Sequence, residues 1–294
     1  MRSWKEAMFE NGYALSMIAL LLMGTQRFLY KVSVQRGCNS LWTTFTFMGT
    51  VTILSAISLV IFCESLPSMP FLIFIALINS LSFTLATLTH MEALRHLPGS
   101  VVFPIIRLNA VVVVIFSVAF FHDRLSGYQI IGILFAVVAI ATLASGPNDP
   151  NTARTIPQRG FALISLCILC GAVASISSKF AAMYTNKMAF MALSYFLGTL
   201  FSWTFRNSLV VEGGDSRHKD AVIIGVVMGL LNFAGFYAFL SALTIGPLSI
   251  IVSMVGLHFV IPIILCALIY AEKITPLRIL GVLLAVVSVI CLRF

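Results

Sequence analysis

Four basic side chains stand inside stretches that are otherwise apolar. They are Arg27 in "LLMGTQRFLY", Lys31 one turn further on, Arg107 in "PIIRLNAVVV", and Lys179 in "SISSKFAAMY". Arg27 and Lys31, four residues apart, share one helix face. An arginine keeps its proton under any ordinary condition, so a guanidinium within a membrane needs a counter-charge or carbonyl oxygens around it. Only Glu92 offers an acid at comparable depth. The interior is net basic, and the chemistry this suggests is the holding of an anionic group. The planar fork of Arg27 and of Arg107 can grip a carboxylate or phosphate with paired hydrogen bonds. Either arginine would instead be structural if backbone carbonyls satisfied it.

Uncharged polar residues fill in a candidate lining. Asn79, Ser82, Ala86 and His90 follow helical spacing along one stripe, Asn232 sits mid-helix, and Asn109 stands 149 residues before His258. Each alone also reads as an interhelical hydrogen bond. Together they point to the third, fourth, eighth and ninth apolar stretches as walls of a cavity for a small-molecule substrate. Glu92, His90 or His258 could carry a coupled proton, although Glu92 can also pair with Arg95 three residues on. Lys31 and Lys179 lie near helix ends, where long stems reach the interface. The alternative for both is a gate. The five histidines are scattered, with no paired-acid or His-Glu-x-x-His pattern, so no catalytic residue, metal or cofactor is expected. The six cysteines lie mostly in or beside apolar runs. "CILC" at 167–170 has redox spacing but no polar flank, which favours packing.

These residues are carried by membrane-spanning helices. The chain has 294 residues, 60% hydrophobic and 10% charged, with mean hydropathy +1.05. A soluble domain is about 25% charged. The net charge of +8 belongs mostly to short loops, so nucleic acid is not implied and a lipid bilayer is. The first apolar run is long enough to span and lacks a cleavage site, so it reads as an uncleaved helix. A ruler of about 20 apolar residues gives ten spans, roughly 12–33, 41–62, 71–94, 99–120, 127–145, 160–183, 188–206, 221–243, 247–270 and 275–293.

The spans form two copies. "FFHDRLSGYQIIGILFAVVAIATL" and "IYAEKITPLRILGVLLAVVSVICL" match at an offset of 149, which pairs Asp123 with Glu272, Ser126 with Thr275 and Gly132 with Gly281. Near the start of each half the offset is 148, pairing Gly12 with Gly160 and Lys31 with Lys179. Residues 1–145 and 160–294 are therefore repeats joined by 146–159. Five spans per repeat make the second copy enter from the opposite side, and many transporters place a site between such inverted halves. Ser126 with Gln129 fits a capping box, and Thr275-Pro276 fits a helix start. Asp123 and Glu272 precede those starts, where the helix dipole favours an anion. A gating ion pair is the other reading. "GVVMG", Gly225 to Gly229, has the small-xxx-small spacing of a packing surface.

In "ALRHLPGSVVFPI" leading to the first duplicated segment, and "ALTIGPLSIIVSM" leading to the second, the sequence resembles the drug/metabolite transporter superfamily, specifically EamA-type ten-helix permeases. The resemblance implies an all-α polytopic fold of two inverted five-helix bundles around a central cavity, with helices 5 and 10 away from the pathway. It implies a secondary transporter working by alternating access, often an exporter of metabolites or amino acids, in the plasma (inner) membrane with both termini cytoplasmic. The family's usual Glu before the fifth helix is Asp123 here. Arg27 is an addition, and Met23 stands where a Trp is common. Counted over the loops, Lys and Arg favour the opposite orientation. The reading of the residues is a carrier of a small anionic or amino-acid-like metabolite. The alternatives are a lipid-linked or phosphorylated substrate, an intramembrane enzyme, or an assembly protein.

Overall fold

The computed structural model describes residues 2–62, 69–96, 99–123, 125–144, 158–204, 218–270 and 276–293, and these contain helices and no strand. They form ten rods. The first half holds α1 (Arg2–Gln35), α2 (Ser40–Phe62), α3 (Met69–His96), α4 (99–121) and α5 (Gly127–Ala144). The second holds α6 (Gln158–Tyr184), α7 (Lys187–Thr204), α8 (His218–Ile245), α9 (248–269) and α10 (Pro276–Arg293). Parts of α1, α2, α3, α6, α8 and α9 are long and apolar enough to cross a membrane, and shorter apolar helices lie in α4, α5 and α10. Large apolar side chains are exposed on every rod, including Val60, Ile61, Leu134, Ile223, Leu268 and Leu283. Soluble monomers rarely expose apolar patches beyond a few hundred Å². The chain is an all-α polytopic membrane protein.

Two rods that the sequence predicts as continuous are broken. In α4, Gly99–Ile106 (α4a) gives way at Arg107 and Leu108 to Asn109–Phe116 (α4b), followed by a π-helical turn at Ser117–Phe121. In α9, Leu248–Gly256 (α9a) meets Val260–Ile269 (α9b) through a 3-10 turn at Leu257–Phe259. The repeat offset places Leu108 opposite Leu257, so both breaks fall at the same register. The backbone tightens at the first break: Leu108 N–H donates to the Ile105 carbonyl at 3.0 Å and Ala110 N–H to that of Arg107 at 2.9 Å. At the second, Pro262 has no N–H for the carbonyl of His258 four residues back.

Side-chain contacts fix the direction of each rod. Gly12 lies against Ile245 and Gly235 against Met23, so α1 and α8 are antiparallel. Asn79 meets Ser177 while Cys167 meets the Ala86 carbonyl, so α3 and α6 are antiparallel. Ser40 with Glu92 and Met48 with Thr84 set α2 against α3 in the same sense. Ser33 against Thr43 turns α1 into α2. It follows that α1 and α3 run together and α6 runs opposite to both, so the halves are inverted. The pairings respect this relation: α1 packs on α8 as α6 packs on α3, while α2–α7 and α5–α10 pair their own equivalents. The α5–α10 pair is tied by Ser288 Oγ donating to the Gly132 carbonyl at 2.6 Å.

Local sequence sets the rod ends. Asn39 and Asn186 cap α2 and α7, accepting from Leu41 N–H at 2.8 Å and from Ala189 N–H at 3.0 Å. The capping box of α5 forms as its spacing predicts: Ser126 N–H donates to Gln129 Oε1 at 2.9 Å, and Gln129 N–H to Ser126 Oγ at 3.2 Å. "GVVMG" packs on α2. A Cβ on Gly229 would stand 3.0 Å from the Phe47 carbonyl, and one on Gly225 2.9 Å from that of Thr43. Thr275 and Glu272 lie outside the described residues.

Candidate functional site

A cavity of about 80 Å³ lies between the halves. Roughly 10–15 Å³ suffices for one water, so there is space for several waters or the polar group of a small solute. Its walls come from α1, α3, α4, α6, α8 and α9. Among the described residues, rods α2, α5, α7 and α10 contribute nothing to the lining. Both helix breaks border it, through Arg107 and Asn109 on α4 and through Gly256 and His258 on α9. Non-helical backbone at membrane depth is tolerated where it faces protein or a cavity.

Cationic and hydrogen-bonding groups converge here. Arg27, His90, Arg107, Asn109 and His258 all line the cavity, and no Asp or Glu does among the described residues. Arg27 is held from its own helix: its Nη1 donates to Tyr30 Oη at 2.9 Å, and the guanidinium carbon stands 4.9 Å from that ring's centre. The same Nη1 lies 3.5 Å from His90 Nδ1. His90 is packed edge-on between Tyr30 and Phe103, with ring centres 5.2 and 5.5 Å apart. His258 Nδ1 faces the Val255 carbonyl within its own turn at 2.5 Å. The Nε atoms of both arginines and the Nε2 atoms of both histidines are buried without a hydrogen-bond partner. Four unpaired nitrogens around one cavity call for a ligand or water, since buried polar groups otherwise find partners.

Other anticipated residues lie elsewhere. Asn79 donates to the Ala174 carbonyl and to Ser177 and Ser178 at 2.9–3.1 Å, tying α3 to α6. Asn232 accepts from the Tyr195 hydroxyl, joining α7 to α8. Neither is on the lining. Glu92 accepts from Arg95 Nε at 3.1 Å and from Ser40 Oγ at 2.8 Å, at the end of α3. Lys31 is buried one turn beyond Arg27.

Two expectations about the rod ends are corrected. Lys179 does not reach for the interface: its Nζ donates to the carbonyls of Leu243 and Gly246 at 2.7 and 2.9 Å, capping the C-terminal end of α8. Asp123 caps a helix other than the α5 it precedes, whose start has its own capping box. Its Oδ2 accepts from Ser249 N–H at 3.1 Å and Ser249 Oγ at 2.7 Å, so it caps α9a in the other half. Ser117 Oγ donates to the same oxygen at 2.5 Å. A helix start left with orphan N–H groups is a better home for a carboxylate than one already capped.

Sequence reasoning missed the α6 wall, built from Cys167, Gly171, Ser175 and Ser178, and the apolar wall of Phe83, Phe236 and Phe239. The repeat carried part of this signal. On α1, a Cβ at Gly24 would stand 2.8 Å from the His258 carbonyl; on α6, one at Gly171 would stand 2.8 Å from Asn109 Nδ2. The same close approach, α1 to α9 and α6 to α4, occurs once per half.

The model of the EamA-like transporter family matches residues 10–145 and again residues 158–294. The chain belongs to the EamA-like transporter family. A solved structure titled only as the crystal structure of a protein is similar to this EamA-like chain with a TM-score of 0.71 at 15% identity, covering 96% of each chain. At that identity the likeness speaks for the fold alone. Comparison with curated proteins finds no match. The family is one of transporters, and an integral membrane chain with a cavity between its matched halves accords with that.

Proposed function

We propose that this EamA-like protein is a secondary transporter that moves a small anionic or zwitterionic metabolite, amino-acid-like in size, by alternating access between its inverted halves. One observation carries the reading. Arg27 and Arg107 line one cavity, no carboxylate accompanies them among the described residues, and each keeps an unpartnered buried Nε. A substrate carboxylate or phosphate supplies the missing charge and acceptors. Phe83, Phe236 and Phe239 offer an apolar wall for the rest of a short solute. Glu92 is engaged by Arg95 and Ser40, which leaves His90 and His258 as the better carriers of a coupled proton. By family analogy the direction is export across the plasma (inner) membrane, with both termini cytoplasmic.

The test is counterflow in proteoliposomes with wild type, Arg27→Gln and Arg107→Gln at matched protein levels. The panel holds amino acids, organic acids and phosphorylated metabolites. Both variants are expected to insert and to lose about 10- to 100-fold in apparent affinity, the scale of a hydrogen bond to a charged group. Lysine at either position should restore only part of it, because it lacks the fork. Normal transport by both Gln variants would make the arginines structural and remove the anion from the reading.

A further inference from the structure

The four unpaired nitrogens differ in what they offer. Arg27 Nε and Arg107 Nε carry protons and can only donate. For each neutral imidazole, the partner of Nδ1 decides the tautomer. His90 Nδ1 faces a guanidinium nitrogen of Arg27, which can only donate, so that ring nitrogen is the acceptor and the proton sits on Nε2. His258 is the reverse. Its Nδ1 faces the Val255 carbonyl, which can only accept, so Nδ1 carries the proton and Nε2 keeps a bare lone pair. Both Nε2 atoms are buried and unpartnered on side chains that line the same cavity. The unpartnered groups buried beside the cavity are therefore three donors and, at His258, one acceptor.

A plain anion matches three of these groups and fails the fourth, because its oxygens would meet the His258 lone pair with lone pairs of their own. We propose that His258 is a specificity-determining residue: this site takes anions that carry their own N–H or O–H donor beside the charged group, and discriminates against anions that lack one. Amino and hydroxy carboxylates and monohydrogen phosphate have that pattern; simple carboxylates and sulfate do not. The inference rests on the anion-carrying reading above and adds what the anion must bring with it. The mismatch is costly because a site built around a buried polar group leaves it unpaired when the analogue lacks the complement. Asn109 and Gly256 line the same cavity. Gly24 faces the His258 carbonyl and Ile261, which brings α1 close to α9 at this break.

The experiment measures equilibrium binding to the purified full-length protein with matched probes: alanine and 2-hydroxypropanoate each against propanoate, and phosphate against sulfate. Wild type is expected to favour the donor-bearing member of at least one pair by about tenfold or more, the order of one buried hydrogen bond. His258→Leu should bring that pair together, because the donor-bearing member loses its acceptor and the plain anion no longer meets the ring's lone pair. His258→Gln places an amide oxygen near the Nε2 position and should restore part of the discrimination, which a merely structural histidine would not show. Equal binding within every pair by wild type overturns the proposal and leaves the anion site standing. So does undiminished discrimination in folded His258→Leu, or equal damage to both members of a pair in both variants. If wild type binds none of the probes, or Arg27→Gln and Arg107→Gln bind as wild type does, the anion reading fails and takes this inference with it.

Discussion

The arginine of α1 owes its pose to a neighbour on its own helix. Tyr30 is fully buried, and its hydroxyl accepts from Arg27 Nη1 and from Gln26 Nε2 while its ring lies under the guanidinium. Tyr30→Phe removes the acceptor and keeps the ring. It should insert normally and weaken substrate affinity by about 5- to 10-fold, the share of one hydrogen bond of roughly 1 kcal/mol. Substrate titration of transport at matched protein levels checks this, and an unchanged affinity would mean that the ring alone holds Arg27. The charge of this region was legible in the sequence because an arginine in an apolar stretch is conspicuous. Tyr30 was not, since one tyrosine in an apolar stretch reads as ordinary packing. Cys167, Gly171 and Ser175 escaped for a related reason. Small residues on a membrane helix look the same whether they admit a neighbouring helix or border a void. Asn79 and Asn232 show the converse: a buried amide announces a hydrogen bond, and only the packing says to whom.

At the scale of elements, the acid after α4 acts across the repeat boundary. Asp123 offers one oxygen to three donors, two of them from Ser249 at the start of α9a, where the helix dipole adds to the attraction. Asp123→Ala should lower the stability of the purified protein by about 1–2 kcal/mol, and Asp123→Asn by less because it keeps an acceptor. Thermal unfolding in detergent measures both. If Asp123→Ala melts with wild type, the contact contributes nothing to holding the halves together. Helix starts were readable where the signal was local, as in the Ser126–Gln129 box. The partner of Asp123 is 126 residues away, and no spacing rule reaches that far. The breaks in α4 and α9 were hidden for another reason. Apolar periodicity runs through them without interruption, and only the repeat register of Arg107–Leu108 and Gly256–Leu257 ties one to the other.

For the molecule as a whole, five rods per half fix the inversion, and the offset of 149 residues was enough to expect it. The consequence is testable in cells. Single cysteines at Ser126 and at Thr275, in a background without native cysteines, should react with an impermeant thiol reagent from opposite sides of the membrane. Labelling of both from one side would contradict the antiparallel run of α1 and α6 and with it the inverted fold. Which side holds the termini is decided by the same experiment, where the loop charges and the family arrangement disagree.

The contact between Gly24 and the carbonyl of His258 bears on how such a protein should be surveyed. Part of what meets α1 beside the cavity is main chain, an oxygen to which Pro262 cannot donate, and no replacement of the His258 side chain removes it. An alanine scan trims side chains and will pass over this contact at every position but one. At Gly24 alanine adds a carbon that meets the Ile261 side chain and stands 2.8 Å from the oxygen. There the scan becomes a wedge between α1 and α9. A severe phenotype at an unassuming glycine would then report on Ile261 and the carbonyl facing it, and should be mapped to α9 rather than to α1.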